Sequence, residues 1–186
     1  MSTVDARVFS RKLFGNNMNR RKGRVVDARV KDVGAIETRY LFDTVADLSP
    51  RLSIGGPLGG RTVFGCAGGS FEGPKIRGEV LPGGGDWGLY RPDGNLHLDV
   101  RLTLRTHDGD LVYLYYGGRW IIPPELLSQI RDPAVNRQVD PASYYWRSNV
   151  LFETGSRNYS WLNDIVAVGS GYLVDDGVAY RVSEVL

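Results

Sequence analysis

The sequence is poor in the residues that ligate metals and attack carbonyl carbons. Its 186 residues include one cysteine, Cys66, and two histidines, His97 and His107. A single cysteine excludes an internal disulfide and fits a reducing compartment. No HxxxH, HExxH or CxxC spacing occurs, so no metal site is expected. Cys66 has no histidine placed to activate it, and no Gly-x-Ser-x-Gly elbow is present, so thiol and serine nucleophiles are not expected either. The glycine runs at 55–61 and 83–86 lack the P-loop lysine and are not followed by a helical pattern. They read as tight strand connections, and no nucleotide or other cofactor is expected. No stretch approaches the roughly 20 apolar residues of a membrane helix. Residues 1–31 contain no apolar run of signal-peptide length. A cytoplasmic protein without membrane contact is the expectation.

Glycine, by contrast, is abundant. There are 24, and 14 lie between Gly55 and Gly94, alongside nine prolines. Such a chain makes many turns and few long helices. Charge is uneven. Residues 1–31 hold nine basic side chains and two acidic ones, whereas the other 155 hold 14 and 19. A basic arm (residues 1–36) thus precedes an acidic body (residues 37–186) of single-domain size. No nucleic-acid-binding motif accompanies the arm, so its expected roles are packing on its own body or on a second subunit, not binding nucleic acid.

From residue 37 onward the pattern is β. Leu96, Leu98, Val100, Leu102 and Leu104 alternate strictly with His97, Asp99, Arg101, Thr103 and Arg105, the period of a strand with one buried face. Asp108-Gly109 offers the chemistry of a two-residue hairpin turn. With that turn, Arg101 faces Tyr116, Leu102 faces Tyr115 and Leu104 faces Tyr113. One face then carries the leucines; the other carries His97, Asp99, Arg101, Thr103, Tyr116 and Trp120. Pro123-Pro124 starts a short helix ending near Ile130, residues 131–143 form a polar loop, and further strands are expected at 144–147, 151–154 and 159–168. Asp176-Gly177 closes a last hairpin. Eight to ten strands, one short helix and no βαβ alternation predict an all-β fold, an antiparallel barrel or sandwich.

Several segments resemble a known family. They are residues 68–78, Val80-Leu81-Pro82-Gly83-Gly84-Gly85-Asp86-Trp87, Asp93-Gly94, Leu98-Asp99-Val100-Arg101, Asp108-Gly109, Gly117-Gly118-Arg119, Tyr145-Trp146-Arg147, Phe152-Glu153-Thr154 and Trp161-Leu162-Asn163. In this order they resemble the DUF3237 (UPF0311) family, GxxxPGGxDW being the most specific piece. The resemblance covers about residues 37–186 and implies a calycin-like, lipocalin-like β-barrel without an assigned activity. The family's recurring polar residues fall on Asp86, Trp87, Asp99, Arg101, Arg147, Glu153, Trp161 and Asn163.

A barrel of about eight strands holds one small ligand. Either the leucine face or the Asp99-Arg101-Tyr116 face lines it. Tyr116 and Trp120 on the polar face, with the family's polar residues at Asp99 and Arg101, favour the polar lumen. The leucine face would then need cover from the arm, the helix or a second subunit, and a homodimer or larger homo-oligomer is expected. Within such a lumen Arg101 would anchor a ligand oxygen, Tyr116 beside it would have a lowered pKa, and Asp86 or Glu153 would shuttle a proton. Trp87, Asp99, Arg147, Tyr159, Trp161 and Asn163 would complete the binding site. The chemistry expected is cofactor-free proton transfer on a small, partly apolar carbonyl or aromatic compound: isomerisation, hydration or dehydration, cyclisation or C–C lysis. The alternative is a non-catalytic small-molecule carrier.

Overall fold

The computed structural model describes Asp27 and residues 29–186; most of the basic arm, and with it the expected role of the arm, lies outside the described residues. Residues 36–186 form one compact unit. Ten strands run in chain order: β1 Thr38–Leu48, β2 Leu52–Ser53, β3 Gly60–Glu72, β4 Arg77–Val80, β5 Gly85–Tyr90, β6 Leu96–Thr106, β7 Leu111–Ile121, β8 Tyr145–Glu153, β9 Ala167–Val174 and β10 Gly177–Val185. All pairings are antiparallel. The ladder runs β1-β10-β9-β8-β7-β6 and returns through β4 and β5 to β3. The β1–β3 pairing closes it.

β4 and β5 occupy a single place in this ring. β4 pairs with β3 at residues 70–72 and with β6 at 104–106, whereas β5 pairs with the same two strands at 60–65 and at 96–101. The barrel therefore has eight positions, the number at which a lumen is just wide enough to be filled by side chains or to hold one small ligand. Pro82-Gly83-Gly84 carries the chain from one strand to the other. Gly84 has φ +75, and a Cβ there would lie 2.3 Å from the Arg101 carbonyl oxygen, so only glycine fits.

The helix at Leu127–Arg131 (α1) follows a 3₁₀ turn at Pro124–Leu126, where proline fixes φ and needs no donor. The segment expected to be a strand at 159–168 differs: Ser160–Asp164 is a 3₁₀ turn, and β9 begins only at Ala167. The last hairpin turns on Asp175-Asp176, with Asp176 at φ 51 and Gly177 already paired to Val174.

The β6–β7 hairpin differs from expectation by one residue, with a large consequence. Gly109 donates its N–H to the Thr106 carbonyl (2.9 Å), Thr106 donates to the Asp110 carbonyl (2.9 Å), and Gly109 has φ +88 while Asp108 stays at negative φ. This is a three-residue loop, His107-Asp108-Gly109, with glycine in the left-handed position. Register follows: Val100 pairs with Tyr116, Arg101 with Tyr115 and Leu102 with Leu114. Because side chains alternate with period two, that slip moves every β7 side chain to the opposite face. Leu98, Val100, Leu102 and Leu104 share the interior with Val112, Leu114, Tyr116 and Trp120, all buried. The polar face of β6 is the outer one. The expected polar lumen is thereby overturned, and the leucines need no cover.

One end of the interior is filled by Phe42, whose ring meets Phe71 and Phe152 edge-on at 5.6 and 6.1 Å. A bulge in β1 between Tyr40 and Phe42 turns both Leu41 and Phe42 inward. The other end is open inside. No helix among the described residues is long and apolar enough to cross a membrane.

Candidate functional site

The lumen holds a cavity of about 90 Å³, room for a small organic molecule or several waters. Its walls are mostly apolar, with Phe64, Leu96, Val100, Leu102 and the indoles of Trp120 and Trp146 among them. Asp86, Tyr90, Tyr116, Tyr180 and Cys66 are among the polar side chains that line it.

Asp86 is the second residue of β5. The glycine turn before it delivers the strand with Asp86 inward and Trp87 outward. Its Oδ1 accepts the backbone N–H of Asp99 at 2.9 Å. Burial pushes its carboxyl up to about 6, only partly opposed by that hydrogen bond; an apolar wall solvates a carboxylate poorly.

Tyr116 and Tyr180 meet edge-on at 5.4 Å, on β7 and β10. Tyr180 is also tied to Trp146. An indole N–H can only donate, and Trp146 Nε1 donates to the Tyr180 hydroxyl at 2.7 Å. The Tyr116 phenol interacts electrostatically with that of Tyr180. Burial raises both phenols far above their ordinary value, so Tyr116 is a neutral donor at any ordinary pH. The lowered pKa expected for it is overturned, because the cation meant to lower it lies outside the barrel. Gly171 makes room for this group: a Cβ there would lie 2.7 Å from the Trp146 indole. The Cys66 thiol is buried, donates to the Gly68 carbonyl (3.4 Å) and is pushed up by desolvation, the opposite of a reactive thiolate.

Of the ten residues singled out from sequence, Asp86 and Tyr116 line the cavity and the other eight do not. Arg101 and Asp99 are each about half exposed on the outer wall and pair with one another at 2.6 Å. Arg147 is also outside, over the Tyr145 ring at 5.4 Å, donating to the Trp146 carbonyl. Glu153 is exposed opposite Tyr113, and Trp87 is 38% exposed on the outer face, its carbonyl accepting from Arg61. Tyr159 is buried, but its hydroxyl donates to Asp108 Oδ2 (2.6 Å) at the tip of the β6–β7 hairpin. Trp161 lies under Lys75, and Asn163 clasps Thr154 through both its amide atoms (2.8 and 3.0 Å). These last three pin the loop after β8.

Replacing Arg101 by leucine therefore removes one exposed ion pair and nothing in the lumen. The melting midpoint should correspond to a stability change within about 0.5 kcal/mol. A loss several times larger in a denaturant titration would mean that the outer pair is structural.

Trp146, Tyr180 and Trp120 complete the site. Trp146 was accessible to sequence reasoning: Trp146, Val150 and Phe152 keep period two on β8, so Arg147 has to point the other way. Tyr180 carries no such signal, because its value lies in a partner 34 residues away. Among the described residues no group of three or more histidine, cysteine or acidic side chains is placed to hold a metal.

Known proteins share this barrel. The family model of DUF3237, described as a protein of unknown function, matches residues 36–185. A UPF0311 protein of Rhodopseudomonas palustris is 34% identical over 152 residues, 81% of this chain and 97% of its own length, and one of Bradyrhizobium diazoefficiens is 31% identical over the same shares. A crystal structure of a conserved protein of unknown function from R. palustris superposes with a TM-score of 0.76 at 34% identity, over 82% of this chain and 99% of that one. A β-barrel-like protein from Acinetobacter baumannii gives 0.72 at 34%, over 83% and 99%. An enzyme from Penicillium herquei gives 0.61 at 19% identity, over 84% and 99%, a likeness of fold alone. With nearly the whole barrel matched in sequence and in shape, the chain belongs to the DUF3237 family.

Proposed function

We propose that the lumen binds a small, partly apolar carbonyl compound and moves a proton at the carbon beside the carbonyl, without a cofactor. The observation that carries this reading is Asp86, a carboxyl pushed up to about 6, lining one mostly apolar cavity with the buried Tyr116 phenol. A base tuned near neutrality and a fixed donor for the developing oxyanion are the two parts that enolisation needs. Asp86 as carboxylate takes the proton of the α-carbon. The C–H electron pair becomes the enol double bond, and the carbonyl π pair moves to oxygen, which accepts the Tyr116 hydrogen bond. Tyr116 stays protonated, because burial raises its phenol well above the ordinary value. Return of the proton to the same carbon gives exchange; return to another gives isomerisation.

The test is exchange of α-protons in D₂O, followed by NMR on a panel of small cyclic ketones. Enzyme-dependent exchange should rise with pH and level off above about pH 6, as Asp86 ionises. Binding with no exchange above the buffer rate at any pH would leave a carrier and end the catalytic reading.

A further inference from the structure

The lining of the lumen divides by depth. Ala46, Cys66, Leu102, Tyr116, Trp146 and Tyr180 are buried, whereas Leu48, Phe64, Tyr90, Leu173 and Val178 are only half-buried. The half-buried group marks the mouth. Its members sit on neighbouring strands: β1 pairs with β10 at Ala46 and Val178, and β10 with β9 at Val178 and Leu173. Tyr90 ends β5, on the same inner face as Asp86 four residues earlier, roughly 13 Å along the strand. Gly88 between them puts no side chain in the way.

Two cations stand at this mouth. Arg51 follows Leu48 by three residues and, with Leu52 paired to Val63, lies beside Phe64. Arg131 ends α1. Both act through their charge on the Tyr90 phenol, opposing the rise that burial causes. Both are exposed, and neither guanidinium has a hydrogen bond or ion pair among the described residues. By contrast Arg39, Arg101, Arg105 and Arg181 are each paired with a carboxylate. At the β9–β10 turn Asp175 is already taken by Arg137 at 2.9 Å. Asp47 and Asp176, also at this end, do not figure among the charges acting on Tyr90; the acid that does is Asp86, from inside. The sign of charge therefore reverses along the lumen, cationic at the mouth and anionic within once Asp86 ionises.

We infer that Arg51 and Arg131 bind a carboxylate of the ligand at the mouth, while its carbonyl end enters toward Asp86 and Tyr116. The inference rests on the reading above and narrows its substrate class to an oxo acid: a compact apolar skeleton with a ketone at one end and a carboxylate at the other. The orientation follows from the two charges. A carboxylate pushed inward would lose its hydration against apolar walls and meet Asp86, a like charge. At the mouth it keeps water and gains two guanidinium forks. The same field draws anions to the entrance.

The probes are 4-oxocyclohexanecarboxylate and 4-oxocyclohexanecarboxamide, which have nearly the same shape and differ in one charge. Affinities are measured by NMR titration. The wild-type protein should favour the acid over the amide by roughly fivefold at low salt, the size of two exposed ion pairs, and added salt should erode the preference. In the double variant Arg51→Gln/Arg131→Gln the ratio should fall to about one through loss of acid affinity, with amide affinity within about twofold of wild type; both positions are exposed, so the fold should be kept. Equal binding of the two probes by the wild-type protein, or a preference unchanged in the double variant, overturns the inference. α-Proton exchange on the amide separates the two readings. Exchange without an acid preference removes the role of the arginines and leaves Asp86 as the base. An acid preference that the double variant loses, with no exchange, keeps the arginines and leaves a carrier of oxo acids. Failure of both probes to bind and to exchange removes both.

Discussion

Asp86→Asn is expected to lose α-proton exchange and gain stability in the same step. A positioned general base contributes roughly 10²–10⁴ in rate, and asparagine cannot take a proton, so exchange should fall by that factor. The stability gain follows from the same burial. In the unfolded chain the carboxyl releases its proton near 3.8; in the barrel it holds on until about 6. Between those values the folded state binds more protons than the unfolded one, so folding stability contributed at this site is lost as pH rises from about 4 to 6 and stays lost above. The shift corresponds to at most about 3 kcal/mol. Asparagine still accepts the Asp99 N–H through Oδ1 and carries no charge to desolvate. At pH 8 the variant should therefore melt higher by up to roughly 10 °C, at about 2–4 °C per kcal/mol for a domain of this size. At pH 4 the two proteins should nearly coincide. Comparing them at each pH cancels the outer carboxylates, such as Asp43, which its Arg181 partner holds low. A variant that tracks the wild-type stability from pH 4 to pH 8 would show that Asp86 is solvated, and with it the tuned base would go.

Phe42→Ala should be the opposite kind of lesion, large in stability and silent at the site. Phe42 is fully buried, and its ring joins β1 to β3 through Phe71 and to β8 through Phe152. Truncation of a buried phenylalanine costs about 3–5 kcal/mol, the transfer of the ring plus the cavity left behind. Phe42 is not among the residues lining the ligand cavity. A urea titration should show the midpoint falling with the slope unchanged, and ketone affinity measured well below that midpoint should be that of the wild type. A cost under about 1 kcal/mol would mean that the phenylalanine end of the barrel is not a packed core.

The barrel itself was legible. β6 alternates over ten residues, and the clusters Gly55-Gly56 and Pro82-Gly83-Gly84 fall between strands, because strand period and turn chemistry are local properties. Asp86 was singled out through the family resemblance alone, and the structure places it in the cavity wall. The face of β7 was not. His107-Asp108-Gly109 can close a hairpin with histidine in the strand or in the loop, and the two alternatives differ by one local hydrogen-bond pattern. Yet that choice decides whether Arg101 shares a wall with Tyr116 or with Tyr115. Tyr116 was thus singled out for a neighbour it does not have. The cluster of Trp146, Tyr180 and Tyr116 was not legible either, because it is made by strands brought together only when the ring closes.

Closure of that ring also places the two ends of the barrel together. Thr38 of β1 pairs with Val185 of β10, and the Leu186 N–H donates to the Glu37 carbonyl at 2.9 Å. The seam between first and last strands is hydrogen-bonded like any other seam, and no lumen residue depends on the order in which the chain visits the eight positions. In the language of topology the domain is a cycle with an arbitrary cut: a short linker across residues 37 and 186 would let the chain begin instead at the turn of Asp93, which is exposed, and Gly94, with every strand pair and the cavity unchanged.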